Sequence, residues 1–215
     1  MSSLEFHFKF YKKTSQIARS DLEQIFCYVL ECSKTILYTN KEVNISDDNL
    51  QVIKSLISRR EQGEPLAYLL EKKGFWNIEL HVNKDVLVPR PETETLIEEV
   101  LNNFGEEQLY ILDAGTGSGA IILALANERK NWKFFALDKS KEALNVAIKN
   151  MKSLDLKINF VRANWMAALK ANIFDVIVSN PPYISKHDLC LKEDGVKKEP
   201  LSSLVSESNG MSDLI

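Results

Sequence analysis

Hydrophobic positions along this chain change rhythm from one stretch to the next. Between residues 20 and 63 they recur at helical spacing. Leu22, Ile25, Phe26, Val29 and Leu30 fall on one stripe behind Ser20, a candidate N-cap. Leu50, Ile53, Leu56 and Ile57 form a second stripe behind Ser46, and Gly63 and Pro65 stop it. A polar loop is expected between the two, around Tyr38 to Asn44. Ahead of them, Phe6, Phe8 and Phe10 alternate in a basic stretch. That alternation predicts a short strand or solvated arm, with a weak organelle-targeting segment as the alternative.

From Gly74 the pattern shortens. Phe75, Ile78, Leu80 and Val82 suggest a hairpin, and Val86 to Val88 another extended piece. Arg90 stands between Pro89 and Pro91 and must be extended, because a proline restrains the residue before it. Pro91 suits the first turn of a helix, and Glu92 and Glu94 complement its dipole. That helix carries Leu96, Ile97, Val100, Leu101 and Phe104. After Gly105, strands at 110–113, 133–137, 158–161 and 174–179 alternate with helices at 120–129 and 141–154. The first and last of these, Leu109-Tyr-Ile-Leu and Phe174-Asp-Val-Ile-Val, are near-continuously apolar, as buried parallel strands are. The expected fold class is α/β, a doubly wound sheet preceded by a small helical domain. The boundaries read as 1–73 for the helical part, 74–105 for the hairpin and linker helix, and 106–215 for the sheet domain.

Composition narrows the class. Hydrophobic residues make up 45% and charged ones 27%, which excludes disorder. The longest apolar run, Ala120 to Ala126, is far short of a membrane span. A net charge of -3 argues against broad phosphate contact with nucleic acid. Cys27, Cys32 and Cys190 are an odd count without zinc or redox spacing, so a reducing compartment, the cytoplasm, is expected. His7, His81 and His187 are scattered, and no metal constellation is visible.

Two constellations carry chemistry. The first is Asp113-Ala114-Gly115-Thr116-Gly117-Ser118-Gly119, between a predicted strand and a predicted helix. Glycines let a ligand approach the backbone, and a helix N-terminus favours a polar group. Asp138, at the end of the next strand, can accept the hydroxyls of a ribose. Asp113 is unsuited to a pyrophosphate and better suited to an ammonium group. S-adenosylmethionine carries an ammonium, a sulfonium and a ribose, and no phosphate. A tight turn alone is the other reading of the loop, and Asp113 can also be an acceptor of backbone N–H bonds that orders the loop, a role compatible with the first.

The second constellation is Asn180-Pro181-Pro182-Tyr183, directly after the fourth predicted strand. Doubly wound folds bind ligands at the C-terminal ends of parallel strands. The prolines fix the backbone and remove two donors. The Pro181 carbonyl and the Asn180 side-chain oxygen can then both accept from the NH2 of a planar amide or amine. Tyr183 offers a flat face to the same group.

The two together resemble the class I methyltransferases that methylate planar nitrogen. The segment 87–94, Leu-Val-Pro-Arg-Pro-Glu-Thr-Glu, is more specific. With Glu199-Pro200-Leu201 and Asn209-Gly210-Met211, it closely resembles the release factor glutamine methyltransferases, the HemK/PrmC family. That resemblance implies a Rossmann-like sheet and methyl transfer from S-adenosylmethionine. The methyl acceptor it implies is the side-chain amide of the glutamine in the Gly-Gly-Gln motif of peptide chain release factors. It also implies that the N-terminal helices engage the release factor. By the same resemblance, Gly115, Thr116, Gly117, Ser118 and Gly119 line the cofactor and Asp138 holds its ribose. Trp165 flanks the adenine, unless it is a core aromatic. Asn164 stands where the family carries Asp, and should contact the adenine amine more weakly. Asn180 serves both cofactor and acceptor.

Three other readings stay open. A DNA adenine N6-methyltransferase shares the Asn-Pro-Pro-Tyr logic but needs a basic channel. A nicotinamide dehydrogenase would share the glycine loop but not Asp113. The family's sheet has seven strands, and four are predicted here. A non-catalytic cofactor-binding fragment with an exposed strand edge is therefore the third reading.

Overall fold

The computed structural model describes residues 3–39, 44–164, 172–186, 188–192 and 196–205. The chain forms two compact units, Met1–Leu70 and Glu71–Ile215. Among the described residues no helix is long and apolar enough to cross a membrane.

The first unit is helical: α1 (Leu4–Thr14), α2 (Arg19–Val29), α3 (Lys34–Thr39), α4 (Asp47–Glu61) and the short α5 (Leu66–Leu69). Its core joins Leu4, Phe8, Leu22, Phe26, Ile53 and Ile57. The strand or arm expected near the start is instead α1. Ser3 caps it by accepting the Phe6 N–H at 3.3 Å. Leu4, Phe8 and Tyr11 share one face at helical spacing and turn inward, whereas Phe6 and Phe10 face out at 59% and 49% exposure. The three alternating aromatics are thus split between two faces of a helix. Two further expectations change. Ser20 lies inside the first turn of α2, which Ala18 precedes, and its hydroxyl bonds Asp21. Tyr38, expected in a loop, lies in α3. Ser46 does cap α4, accepting from the Asn49 N–H at 3.2 Å.

Tyr38 belongs to a charge cluster around one buried carboxylate. Glu23 is 5% exposed, a costly place for a carboxylate without partners. It takes Lys34 Nζ at 2.5 Å, Arg19 Nε at 2.8 Å and the Tyr38 hydroxyl. Lys34, with Tyr38 and Arg19 behind it, holds its carboxyl down at about 2.

The second unit opens with an antiparallel hairpin, β1 (Lys72–Phe75) and β2 (Ile78–His81). Val86 to Val88 joins no strand. Arg90 is extended, at φ -98° and ψ 140°, and leads into a 3-10 turn, Pro91–Thr93, and then α6 (Glu94–Asn103). Phe104 is the C-cap of α6. Then come β3 (Tyr110–Ala114), α7 (Ala120–Glu128), β4 (Lys133–Asp138), α8 (Lys141–Ser153), β5 (Asn159–Arg162) and β6 (Val176–Val178). The four strands form one parallel sheet in the order β5-β4-β3-β6. The apolar run in α7 is buried from Ala120 to Ala126, packed against β3, β4, α6 and α8. Among the described residues β6 pairs with β3 alone, and Ile177 on it is 49% exposed. Two 3-10 turns, Leu189–Lys192 and Val196–Lys198, and α9 (Leu201–Leu204) follow. The Ile184 N–H donates to the Leu204 carbonyl at 2.9 Å and returns α9 to the segment after β6.

Candidate active site

The parallel register aligns the C-terminal ends of the four strands. Asp113 pairs with Ala136 on one side and Val178 on the other, and Asp138 pairs with Arg162. Everything that follows these ends therefore gathers along one edge of the sheet.

After β3 the chain makes the glycine loop. Gly115 and Thr116 both donate their N–H to the Leu137 carbonyl at 2.9 Å, and Gly119 donates to Thr116 O at 2.8 Å. Gly117 donates to Asp138 Oδ2 at 2.9 Å. A pyrophosphate cradle needs free amides. Here four of them are already bonded within the protein, which disfavours a nicotinamide dinucleotide. The glycines differ in what they do. Gly117 has φ +55° with open space where a Cβ would stand, and it lines a cleft. Gly119, at φ +83°, lies off the cleft, and a Cβ there would meet Leu123 Cδ1 at 2.8 Å. Its place is in the packing of α7 against α8 and not against a ligand.

Asp113 is also displaced from the expected place. It is 1% exposed, sealed under the loop, and accepts the Thr116 hydroxyl at 2.6 Å. This contact with Thr116 gives the carboxylate a part in ordering the loop. Burial pushes its carboxyl up to about 7. Asp138 does line the cleft, where Oδ2 takes Gly117 and Oδ1 takes the Ser140 N–H at 2.9 Å. A carboxylate has about four acceptor positions, so two remain for hydroxyl donors. The cleft continues to Ala163 and Asn164 after β5. Trp165 lies outside the described residues, as do Asn209, Gly210 and Met211.

After β6 the Ser179 hydroxyl bonds the Ala114 carbonyl at 2.7 Å, tying the start of Asn-Pro-Pro-Tyr to the end of β3. Asn180 Nδ2 donates to Thr93 Oγ1 at 3.1 Å. Pro182 faces the first cleft. Pro181 and Tyr183 face a second, which also takes in Leu96 and Ile184. Tyr183 is 67% exposed. The two clefts share Leu87, Arg90, Thr93, Asn180 and Ser203. Asn180 thus stands where the cleft that Asp138 lines meets the second one.

A family model for the PrmC N-terminal domain matches residues 8–70, and one for the methyltransferase small domain matches residues 91–194. The release factor glutamine methyltransferase of Escherichia coli K12 is 38% identical over 204 residues, covering 94% of this chain and 74% of that protein. The Coxiella burnetii protein of the same name is 40% identical over 200 residues, 92% of this chain and 72% of that one. The chain belongs to the release factor glutamine methyltransferase family. A solved structure, the hMettl16 catalytic domain in complex with a MAT2A 3'UTR hairpin, matches 85% of this chain and 68% of its own with a TM-score of 0.50. At 19% identity it shows the shared class I methyltransferase fold alone.

In this family member the segment 87–94 and Glu199 carry the resemblance, and nothing local in the sequence links the two. The structure joins them. Glu199, 5% exposed, accepts the Val88 N–H at 3.1 Å and Arg90 Nη2 at 2.6 Å. Burial raises its carboxyl, against the pull of Val88 and Arg90. Glu94 Oε1 accepts the Trp76 N–H at 2.8 Å and holds the hairpin turn, where Trp76 has φ 53°. Asn150 was missed altogether. It is a polar residue in the buried stripe of α8, and that oddity was the available signal.

Proposed function

We propose that this chain transfers a methyl group from S-adenosylmethionine to the side-chain amide nitrogen of the glutamine in the Gly-Gly-Gln motif of release factors. The observation that carries this reading is Asn180, set between the two clefts. When bound, S-adenosylmethionine supplies an electrophilic methyl on a sulfonium. Asp138 and the open side of Gly117 suit its ribose and thioether portion, and Ala163 and Asn164 line the place for its base.

A primary amide nitrogen is a weak nucleophile, because its lone pair is delocalised into the carbonyl. The Asn180 side-chain oxygen and the Pro181 carbonyl are the acceptors for its two hydrogens. Accepting both draws electron density toward the nitrogen and fixes the direction of attack. Holding two reactants in line is worth roughly 7–11 kcal/mol. The second cleft, which includes Pro181 and Tyr183, admits the side chain from a protein surface. The N-terminal helices serve to engage the release factor. The net charge of -3 supports a protein partner over nucleic acid or an anionic membrane. We place the protein in the cytoplasm, a reading supported by the free thiols of Cys27 and Cys32.

The test is incubation with labelled S-adenosylmethionine and purified release factor, followed by mapping of the label. Label on the Gly-Gly-Gln glutamine, lost in Asn180→Ala, is the expected result. Label elsewhere, or an undiminished rate in Asn180→Ala, overturns the reading.

A further inference from the structure

We propose that Thr93 is a positioning residue that holds the Asn180 side-chain amide in place, with its oxygen toward the acceptor. This rests on the methyl-transfer reading above and adds a residue to it.

An asparagine amide is nearly symmetric in shape and opposite in chemistry at its two ends. Turned one way, it offers an acceptor oxygen. Turned the other way, it offers a second NH2, which would face the NH2 of the incoming amide donor to donor. The incoming NH2 favours the first arrangement, and Thr93 holds the side chain in it, its hydroxyl oxygen accepting Asn180 Nδ2 at 3.1 Å. With Nδ2 so engaged, Oδ1 is the end left for the substrate.

The segment 87–94 is built to keep that hydroxyl in place. Val88 and Arg90 are both fastened to the buried Glu199 carboxylate. Pro89 and Pro91 restrain the chain around Arg90. The Thr93 N–H closes the 3-10 turn on Arg90 O at 3.0 Å. One residue further, Glu94 is held by the Trp76 N–H at 2.8 Å. Thr93 therefore projects from a strip anchored on both sides, and both clefts include it. A valine has the same outline as threonine and no oxygen to accept with.

The experiment compares wild type, Thr93→Ser and Thr93→Val in two readouts. The first is hydrogen exchange of the Asn180 side-chain NH2 in 15N-labelled protein, which needs no turnover. It should quicken about tenfold in Thr93→Val, the equivalent of one lost hydrogen bond, and stay near wild type in Thr93→Ser. The second is kcat and KM for methylation of a purified release factor, beside the S-adenosylmethionine Kd. Thr93→Val should lower kcat about tenfold or more with KM and Kd little changed, and Thr93→Ser should restore it. Should Thr93→Val fail to fold, Thr93→Ala is read in the same way. Unchanged exchange in the variant lacking the hydroxyl overturns the inference, as does an unchanged kcat or a Thr93→Ser as slow as Thr93→Val. Wild-type protein that fails to methylate the release factor, with the exchange pattern as expected, sinks the functional reading and leaves the positioning of Asn180 standing.

Discussion

Asn150 uses its side-chain amide as a stand-in for a neighbouring strand at His81. Its Oδ1 accepts the His81 N–H at 2.7 Å and its Nδ2 donates to the His81 carbonyl at 3.0 Å. The same Nδ2 reaches the Ser118 carbonyl at 2.9 Å. One side chain of α8, 1% exposed, thus joins the edge of the hairpin to the glycine loop.

Replacing Asn150 should therefore act on both stability and cofactor binding. Asn150→Leu leaves the backbone groups of His81 and the Ser118 carbonyl without that partner. A loss of about 3 kcal/mol or more is expected, at about 1–3 kcal/mol for each of the three groups left without a partner. Asn150→Asp keeps the acceptor but sets a carboxylate against two carbonyls, and should be no better. Urea denaturation followed by tryptophan fluorescence measures this cleanly, because Trp76, Trp132 and Trp165 all lie in the second unit. A stability within 0.5 kcal/mol of wild type, about the scatter of an ordinary surface substitution, would contradict the assigned role.

The glycines of the loop should separate packing from binding. Gly119→Ala forces a Cβ to 2.8 Å from Leu123 Cδ1 and 3.3 Å from Ala147 Cβ, at a φ of +83°. Strain and overpacking together should cost about 2–4 kcal/mol of stability. Gly117→Ala meets no atom, so its stability cost should be confined to about 1–2 kcal/mol of backbone strain. Its new methyl lines the cleft, however, so S-adenosylmethionine binding should weaken more than folding does. Calorimetric titration beside thermal melts distinguishes the two, and a Gly119→Ala as stable as wild type would refute the packing assignment.

These examples show what the sequence carried and where it stopped. The apolar run around Ile111 marks a central strand buried on both faces, and the turns that bound the shorter runs around Phe134, Phe160 and Ile177 mark the other three. The Asn180 turn was recognisable locally too, since two prolines act on their own neighbours. The start of the chain misled because Phe6, Phe8 and Phe10 satisfy a strand period while Leu4, Phe8 and Tyr11 satisfy a helical one. Only packing chose between them. Asp113 and Gly119 were read as ligand contacts because a loop motif does not say which of its residues face inward. The pairs Thr93–Asn180 and Arg90–Glu199 span 87 and 109 positions, and no local rule connects residues so far apart.

Stability of the second unit should depend on pH through Asp113. Its carboxyl, pushed up to about 7 mainly by burial, titrates near 3.9 when the chain is unfolded. The folded state thus holds this proton more tightly than the unfolded state. The favourable contribution is complete below about pH 4, declines as pH rises toward about 7, and is constant beyond. Asp113→Asn keeps an oxygen for the Thr116 hydroxyl and removes the titration. Its urea midpoint should be flatter than wild type between pH 4 and about 7, with a residual slope from Glu199, whose carboxyl burial also raises. Parallel wild-type and Asp113→Asn profiles across that range would rule Asp113 out as the source.

The Glu199 anchor offers the last prediction. Its side chain is 1% exposed and that of Arg90 is 38% exposed, so the two lose unequally when parted. Among the described residues, Arg90→Ala leaves the buried carboxylate with the Val88 N–H alone. Glu199→Ala frees a guanidinium that already reaches water and orphans one backbone amide. Arg90→Ala should therefore be the more destabilising, by about 3–5 kcal/mol against about 1–3 kcal/mol, the cost of stranding a buried charge against that of one lost amide bond. The pair Arg90→Ala with Glu199→Ala should recover part of the Arg90→Ala loss, because the stranded charge is then gone. A double-mutant cycle on urea unfolding free energies reads the coupling directly. If the double variant is no more stable than Arg90→Ala alone, the carboxylate was not held charged by the arginine.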